Sequence, residues 1–187
     1  VRAHLAQDHR YAHVLRVARL ATHLAHRHGS DPLRARLAGL YHDLARLYSN
    51  ERLLAECTAR AMVIGDFERA NPIVLHARLG AELAREAFGV NDEAILAAIR
   101  KHTVAAAAMG PLDTIVYLAD ALEPGRDYPD RAAYADLADR DLAAAMRVVL
   151  QATIAYLRDR NLSIAPQTLA AAETFAAPPN NREKTPA

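Results

Sequence analysis

Apolar residues recur at intervals of three and four along nearly the whole chain, and nowhere do they alternate convincingly with polar ones. A helix advances about 100° per residue, so this spacing gathers them on one face, whereas a strand would need a period of two. The punctuation agrees. A first helix is predicted from Asp8 to His28, stopped by Gly29, and Ser30-Asp31-Pro32 caps a second that runs to about Tyr48. Ser49-Asn50 opens a third, to about Met62; Gly65 to Asn71 reads as a connector, and Pro72 begins a fourth that ends before Gly89. Asn91-Asp92 caps a fifth ending near Thr103, and Pro111 with Asp113 starts a sixth that stops at Glu123-Pro124-Gly125. A short helix over 130–138 and a long one over 139–159 follow. With 187 residues, only 7 glycines and no tryptophan, the chain is expected to form one all-α bundle over residues 1–165. Beyond Pro166 a weak helix around Gln167 to Phe175 gives way to a charged segment, and 166–187 is expected to be a weakly structured to disordered tail.

The formal net charge is +1 with acids and bases interspersed, so no basic block suggests a nucleic-acid polymer as partner. The single cysteine, Cys57, excludes an internal disulfide and reads as a small core residue. No stretch approaches the roughly 18 continuous apolar residues of a membrane span, and no signal-peptide pattern is evident. The expectation is a soluble cytoplasmic protein; the alanine-rich helices admit a homodimer.

Against this apolar background, a few polar residues are misplaced. His13 shares a face with Val17, Leu20 and Leu24; His76 with Leu79 and Leu83; His102 with Ile95, Ala98 and Ile99. His42-Asp43 lies opposite the stripe Leu33, Leu37, Leu40, Leu44, Leu47, alongside the small residues Ala35, Ala38 and Ala45. Asp120 interrupts the run from Ile115 to Leu122. Burying an unpaired imidazole or carboxylate costs several kcal/mol, and the common partner for such mixed N and O donors is a divalent metal held between helices. Taken singly, each histidine is more often a hydrogen-bonded core residue, and Asp120 could pair with an arginine. Together, on different helices of one small bundle, they point to a metal site. His4, His9, His23, His26 and His28 read as surface residues.

The local text around these positions is more specific than the residues alone. Arg10-Tyr11-Ala12-His13-Val14, Tyr41-His42-Asp43-Leu44-Ala45, Leu75-His76-Ala77-x-x-Gly80-Ala81, Ala98-Ile99-x-x-His102-Thr103 and Tyr117-x-Ala119-Asp120-x-x-Glu123-Pro124-x-Arg126 resemble the HD-domain metal-dependent phosphohydrolases. The likeness is to their YqeK-type branch, the symmetrical bis(5'-nucleosyl)-tetraphosphatases, and runs in register from about Asp8 to Asn161.

That resemblance implies hydrolysis of diadenosine tetraphosphate to two ADP with bound iron or a similar divalent metal, one or two ions. It makes His13, His42, Asp43 and Asp120 the primary metal ligands. His76 and His102 become ligands of a second metal or contacts to phosphate, and Arg126 lies near the phosphate chain. Asp43 is the expected catalytic carboxylate, orienting the nucleophile. Arg46, where HD enzymes often carry lysine, is expected beside Asp43 as a catalytic residue, and Arg46, Lys101 and Arg126 are candidates to bind the polyphosphate, their alternative being solvated surface charge. The family usually has a glycine two positions after the threonine that corresponds to Thr103; here Ala105 stands there. Other readings of the same residues are an HD nucleotidase or phosphodiesterase acting on another nucleotide, a non-catalytic nucleotide-binding regulatory module, and a helical interaction domain whose histidines are structural.

Overall fold

The structure is a computed structural model and describes residues 7–176. Ten α-helices are present among them: α1 (Asp8–Arg27), α2 (Pro32–Tyr41), α3 (Asn50–Ala59), α4 (Asp66–Ala70), α5 (Leu75–Phe88), α6 (Glu93–Lys101), α7 (Pro111–Leu122), α8 (Arg131–Ala138), α9 (Leu142–Asp159) and α10 (Pro166–Ala176). No strand occurs among the described residues.

α7 is the axis of the bundle. Asp113 through Ala119 and Leu122 are all buried, as expected of a helix that is apolar on every side. α1, α2, α6, α8 and α9 pack around it. Gly29, at φ +66°, ends α1, and the Asp31 carboxylate caps α2 by accepting from the Leu33 and Arg34 amides. α2 then runs back along α1 until Gly39 meets Ala18. A Cβ at Gly39 would stand 2.8 Å from the Ala18 Cα, so glycine is what allows these backbones to touch just before His42. A smaller apolar cluster of Ala45, Leu53, Cys57, Ile64, Leu75 and Leu79 ties α3 to α5; Cys57 is buried there, as expected.

Four local expectations change. α2 ends at Tyr41 instead of continuing to Tyr48: the His42 Nδ1 hydrogen bonds to the Gly39 carbonyl, and the chain proceeds in tight turns (Arg46 N to Asp43 O, 2.9 Å; Tyr48 N to Ala45 O, 3.1 Å). The apolar stripe continues through those turns, which is why periodicity alone overruns the helix. The 65–71 connector holds the short helix α4, and a 3₁₀ turn, Pro72–Val74, precedes α5. α9 starts at Leu142, three residues later than expected, because Asp141 caps it through the Ala144 amide. Finally, Pro166–Ala176 is a packed helix: Ala171 is fully buried, Thr168 Oγ1 donates to the Val104 carbonyl (2.9 Å), and Arg147 Nε donates to the Phe175 carbonyl (2.9 Å). The helix expected around Gln167 to Phe175 is therefore present, and packed where a weak one was expected, while 177–187, the rest of the expected tail, lies outside the described residues.

Candidate metal centre

The six singled-out donors come from five parts of the fold and meet at one place. His13 comes from the middle of α1, and His42 and Asp43 from the turn after α2. His76 stands at the start of α5, His102 just after α6, and Asp120 near the end of α7. All but Asp120, which is half-buried, are buried; His42 is fully so. Three overlapping groups have donor atoms close enough to share a cation: His13-His42-Asp43, His42-His102-Asp120 and Asp43-His76-His102.

Each imidazole has its Nδ1 engaged. His42 Nδ1 donates to Gly39 O (2.8 Å), His76 Nδ1 to Ile73 O (2.5 Å) and His102 Nδ1 to Ile99 O (2.8 Å), each time the carbonyl three residues back. His13 Nδ1 donates to the Glu123 carboxylate (3.0 Å). With the proton fixed on Nδ1, every Nε2 presents a lone pair to the centre, the arrangement an imidazole ligand requires. His13 Nε2 and His42 Nε2 are buried without a hydrogen bond, although carboxylate oxygens stand near. Orphaned buried nitrogens facing carboxylates are what a cation would satisfy. The donor set thus fits a divalent ion.

Asp43 sits between two halves of the cluster. Its Oδ2 faces His13 Nε2 (3.7 Å) and His42 Nε2 (3.5 Å), and its Oδ1 faces His76 Nε2 (3.5 Å) and His102 Nε2 (3.8 Å). Asp120 Oδ1 lies 3.1 Å from His13 Nε2 on the first side.

The electrostatics suit cation capture. Burial alone would raise Asp43, but the imidazoles of His42, His102 and His76 hold it below its usual range. Asp120 is likewise pushed up by burial and pulled further down by His13, His42 and Arg126. Burial drives His76 down, and burial with the neighbouring imidazoles takes His102 to about 3, so protons do not compete for those lone pairs near neutrality. His13 is the exception: burial would lower it, but Asp120 and Glu123 raise it.

A cavity of about 340 Å³ opens over the cluster, with three guanidinium groups on its lining: Arg10, Arg46 and Arg126. Arg126 bonds the Asp120 carboxylate and, through Nε, its backbone carbonyl (2.9 Å); Arg10 Nη1 reaches only to 3.7 Å from Asp43 Oδ2. The Arg46 side chain is half-buried, its guanidinium without a hydrogen bond or ion pair among the described residues, and burial with Arg10 lowers its pKa. Three cations over two carboxylates make a receptor for an anion with several charges.

Lys101, expected on the phosphate, is placed elsewhere. It lines a second cavity of about 260 Å³, and its Nζ lies 2.5 Å from Asp113 Oδ2, clamping α6 to α7. Adjacent helical residues diverge by about 100°, so a side chain next to His102 points away from it. Of the other histidines, His9, His23 and His26 are exposed and His28 is partly buried, its Nε2 bonded to Ala138 O (2.7 Å). His4 lies outside the described residues.

Sequence reasoning passed over several residues. Glu123 is 1 % exposed and orients His13; Thr103 Oγ1 lies 3.1 Å from both His76 Nε2 and His102 Nε2; Arg10 and Tyr117 line the cavity. All four stand inside the motif stretches, so the signal was their adjacency to a ligand. Ala105 takes φ +59°, the conformation a glycine prefers, with its methyl buried; the loop keeps the glycine-like geometry and carries about 1 kcal/mol of strain.

Comparison with known proteins gives concordant results. Residues 10–144 match the model of the HD domain. The chain is 35 % identical over 161 residues to the symmetrical bis(5'-nucleosyl)-tetraphosphatase of Bacillus subtilis (strain 168), covering 86 % of each protein. It is 35 % identical over 170 residues to the protein of the same name from Halalkalibacterium halodurans, covering 91 % of this chain and 90 % of that one. A crystal structure of a predicted HD superfamily hydrolase involved in NAD metabolism, from Clostridium acetobutylicum, superposes with a TM-score of 0.88 at 33 % identity, over 90 % of this chain and 89 % of that one.

Proposed function

The chain belongs to the HD domain family, and on that premise we propose that it is a metal-dependent hydrolase cleaving diadenosine tetraphosphate symmetrically into two ADP. The observation that carries this reading is the stack of two features: six convergent donors with lone pairs aimed at one centre, beneath three guanidinium groups. The names of the relatives support the substrate.

His13, His42, Asp43 and Asp120 would hold one divalent ion, and Asp43, His76 and His102 a second. An ion bound there supplies Lewis acidity, activating water near neutral pH and neutralising phosphate charge. The protein's own groups do the rest. Arg46 and Arg10 bind and orient the phosphate chain, and the Arg46 guanidinium gives up no ion pair among the described residues to do so. Arg126 shares its guanidinium between Asp120 and the phosphates. The Thr103 hydroxyl donates to a phosphate oxygen arriving beside His76 and His102, and Asp43, ionised at neutral pH, accepts a hydrogen bond that aligns the attacking water. Water adds to a central phosphorus, the central P–O–P bond breaks, and each half leaves as ADP. The donors are of intermediate softness and suit iron(II), manganese(II), cobalt(II) or nickel(II); iron is the ion the family resemblance favours.

Chromatography of products from the metal-loaded protein and diadenosine tetraphosphate tests the reading. Two ADP per substrate, lost in Asp43→Ala, is the expected result. Formation of ATP plus AMP, or no turnover of this substrate alongside hydrolysis of another nucleotide, overturns it.

A further inference from the structure

The two halves of the donor cluster are built differently behind their imidazoles. On the Asp120 side, His13 Nδ1 donates to a carboxylate, Glu123 Oε1, at 3.0 Å. His42 in the same half, and His76 and His102 on the other side, donate to neutral backbone carbonyls, those of Gly39, Ile73 and Ile99, so His13 is the one imidazole of the four with a carboxylate behind it. Glu123 is itself over-determined: it is 1 % exposed and accepts from Arg16 Nε, from Arg16 Nη2 (3.1 Å), from the Gly125 amide (2.6 Å) and from His13. Gly125 has a reason to be glycine, since a Cβ there would collide with the Arg16 guanidinium. Glu123 is therefore held ionised and fixed in place. Arg16 is 33 % exposed, so solvent screens its charge from the cluster, while the hydrogen bond to His13 is wholly buried.

A carboxylate behind a ligating histidine makes it the stronger donor and fixes its aim, and such partners typically contribute 10–100-fold to metal affinity. The directly facing charge adds to the difference. The first half presents oxygens from both Asp43 and Asp120 within 4 Å of its imidazoles; in the second the other oxygen of Asp43 faces His76 and His102 at 3.5 and 3.8 Å, and Asp120 stands farther off, on the His102 side alone.

The geometry points to an unequal pair of cation subsites: Glu123, backed by Arg16, is a positioning residue that makes the His13-His42-Asp43-Asp120 half the tight subsite, and the Asp43-His76-His102 half is the weak, exchangeable one. This deepens the divalent-ion reading of the cluster and does not depend on the substrate. The role of Glu123 runs through His13; it touches no reacting atom.

Titration of the metal-stripped full chain with Mn²⁺, followed by calorimetry and by the loss of the free-ion electron spin resonance signal, tests it. Wild type is expected to bind in two steps separated by about tenfold or more. Glu123→Gln, which keeps the shape and an acceptor but removes the charge, should weaken the tight step by about 10–100-fold and leave the weak step within about threefold. Arg16→Gln, at a partly exposed position, should weaken the same step by a smaller factor. His76→Ala should delete the weak step and retain the tight one. Two steps of equal affinity, or a Glu123→Gln variant that weakens both alike or neither, overturns the asymmetry while leaving the metal centre intact. No Mn²⁺ binding by wild type overturns both.

Discussion

Two cavities flank the wall formed by the start of α5 and the end of α6, and both carry cationic side chains. In the smaller one each cation has its own acid: Arg78 pairs with Glu68 (2.6 Å), Arg100 with Glu93 (2.7 Å) and Lys101 with Asp113 (2.5 Å). In the larger one, among the described residues, Arg46 has no acid partner, and Arg10 and Arg126 reach only the carboxylates of the donor cluster. Positive charge matched by acids outside the cluster holds helices together; positive charge left over, above a cluster that wants a cation, waits for an anion. Charge type and sequence neighbourhood do not separate these cases. Pairing does.

The sharpest test of that contrast is Asp43→Ala, which removes the carboxylate shared by both halves of the cluster and should lower turnover of diadenosine tetraphosphate by about three orders of magnitude or more. No single substitution in the smaller cavity should approach this, as initial rates at saturating metal would show.

Acid should also single out the larger cavity, which alone is walled by buried imidazoles. His76 and His102 are held below their ordinary value, His102 at about 3, so the unfolded chain binds more protons than the folded one as pH falls from about 6.5 towards 3. Glu123, held at about 2 by Arg16, His13 and the Gly125 amide against the effect of burial, continues the loss from about 4.5 downwards. His13, raised, works in the opposite sense: its contribution is fully present below about 6.5 and is lost as pH rises through its folded value. Two depressed imidazoles outweigh one raised one. Urea unfolding of the metal-free protein should therefore show stability falling on the order of 2–4 kcal/mol between pH 7 and pH 4, with a shallower slope in His102→Gln. A flat profile would contradict the buried, neutral state of these rings.

Arg46→Ala should lower kcat/KM by about 10–100-fold, or roughly 1.4–2.8 kcal/mol, with an unchanged melting temperature, and Arg46→Lys should recover part of the loss. Lys101→Met is the counterpart in the smaller cavity. It should leave kcat/KM within about twofold and cost about 1 kcal/mol of stability, because the buried Asp113 loses its cation and keeps the Gly110 amide as a donor. If Lys101→Met impaired kcat/KM as much as Arg46→Ala does, pairing would be the wrong criterion. Ala105→Gly is expected to shift stability by less than about 1 kcal/mol, because relief of the left-handed backbone offsets the lost buried methyl.

The helices and the inward histidines were legible in the sequence because each is a local signal: periodicity, a capping side chain, a polar residue on an apolar face. What escaped was set by tertiary structure. The end of α2 at Tyr41 depends on a side-chain bond from His42 to Gly39 and on close contact with Ala18, neither visible in the apolar stripe that runs on to Leu47. The divergence of Lys101 from His102 was available from helix geometry, but the clamp to Asp113 required knowing that α6 meets α7. Glu123 stood in plain text three residues after Asp120, and only the fold brings it behind His13 on α1, 110 residues away. The packing of Pro166–Ala176 likewise rests on contacts to Val104 and Arg147 from distant segments.

The central claim is that these side chains form a metal centre organised around Asp43. Anomalous diffraction from crystals of the protein loaded with iron or manganese, recorded on either side of the metal's absorption edge, tests it most directly. Anomalous density is expected within bonding distance of Asp43 and of the Nε2 atoms of His13 and His42, with a weaker peak towards His76 and His102. Density confined to surface carboxylates, with the Asp43 cluster empty, would contradict it.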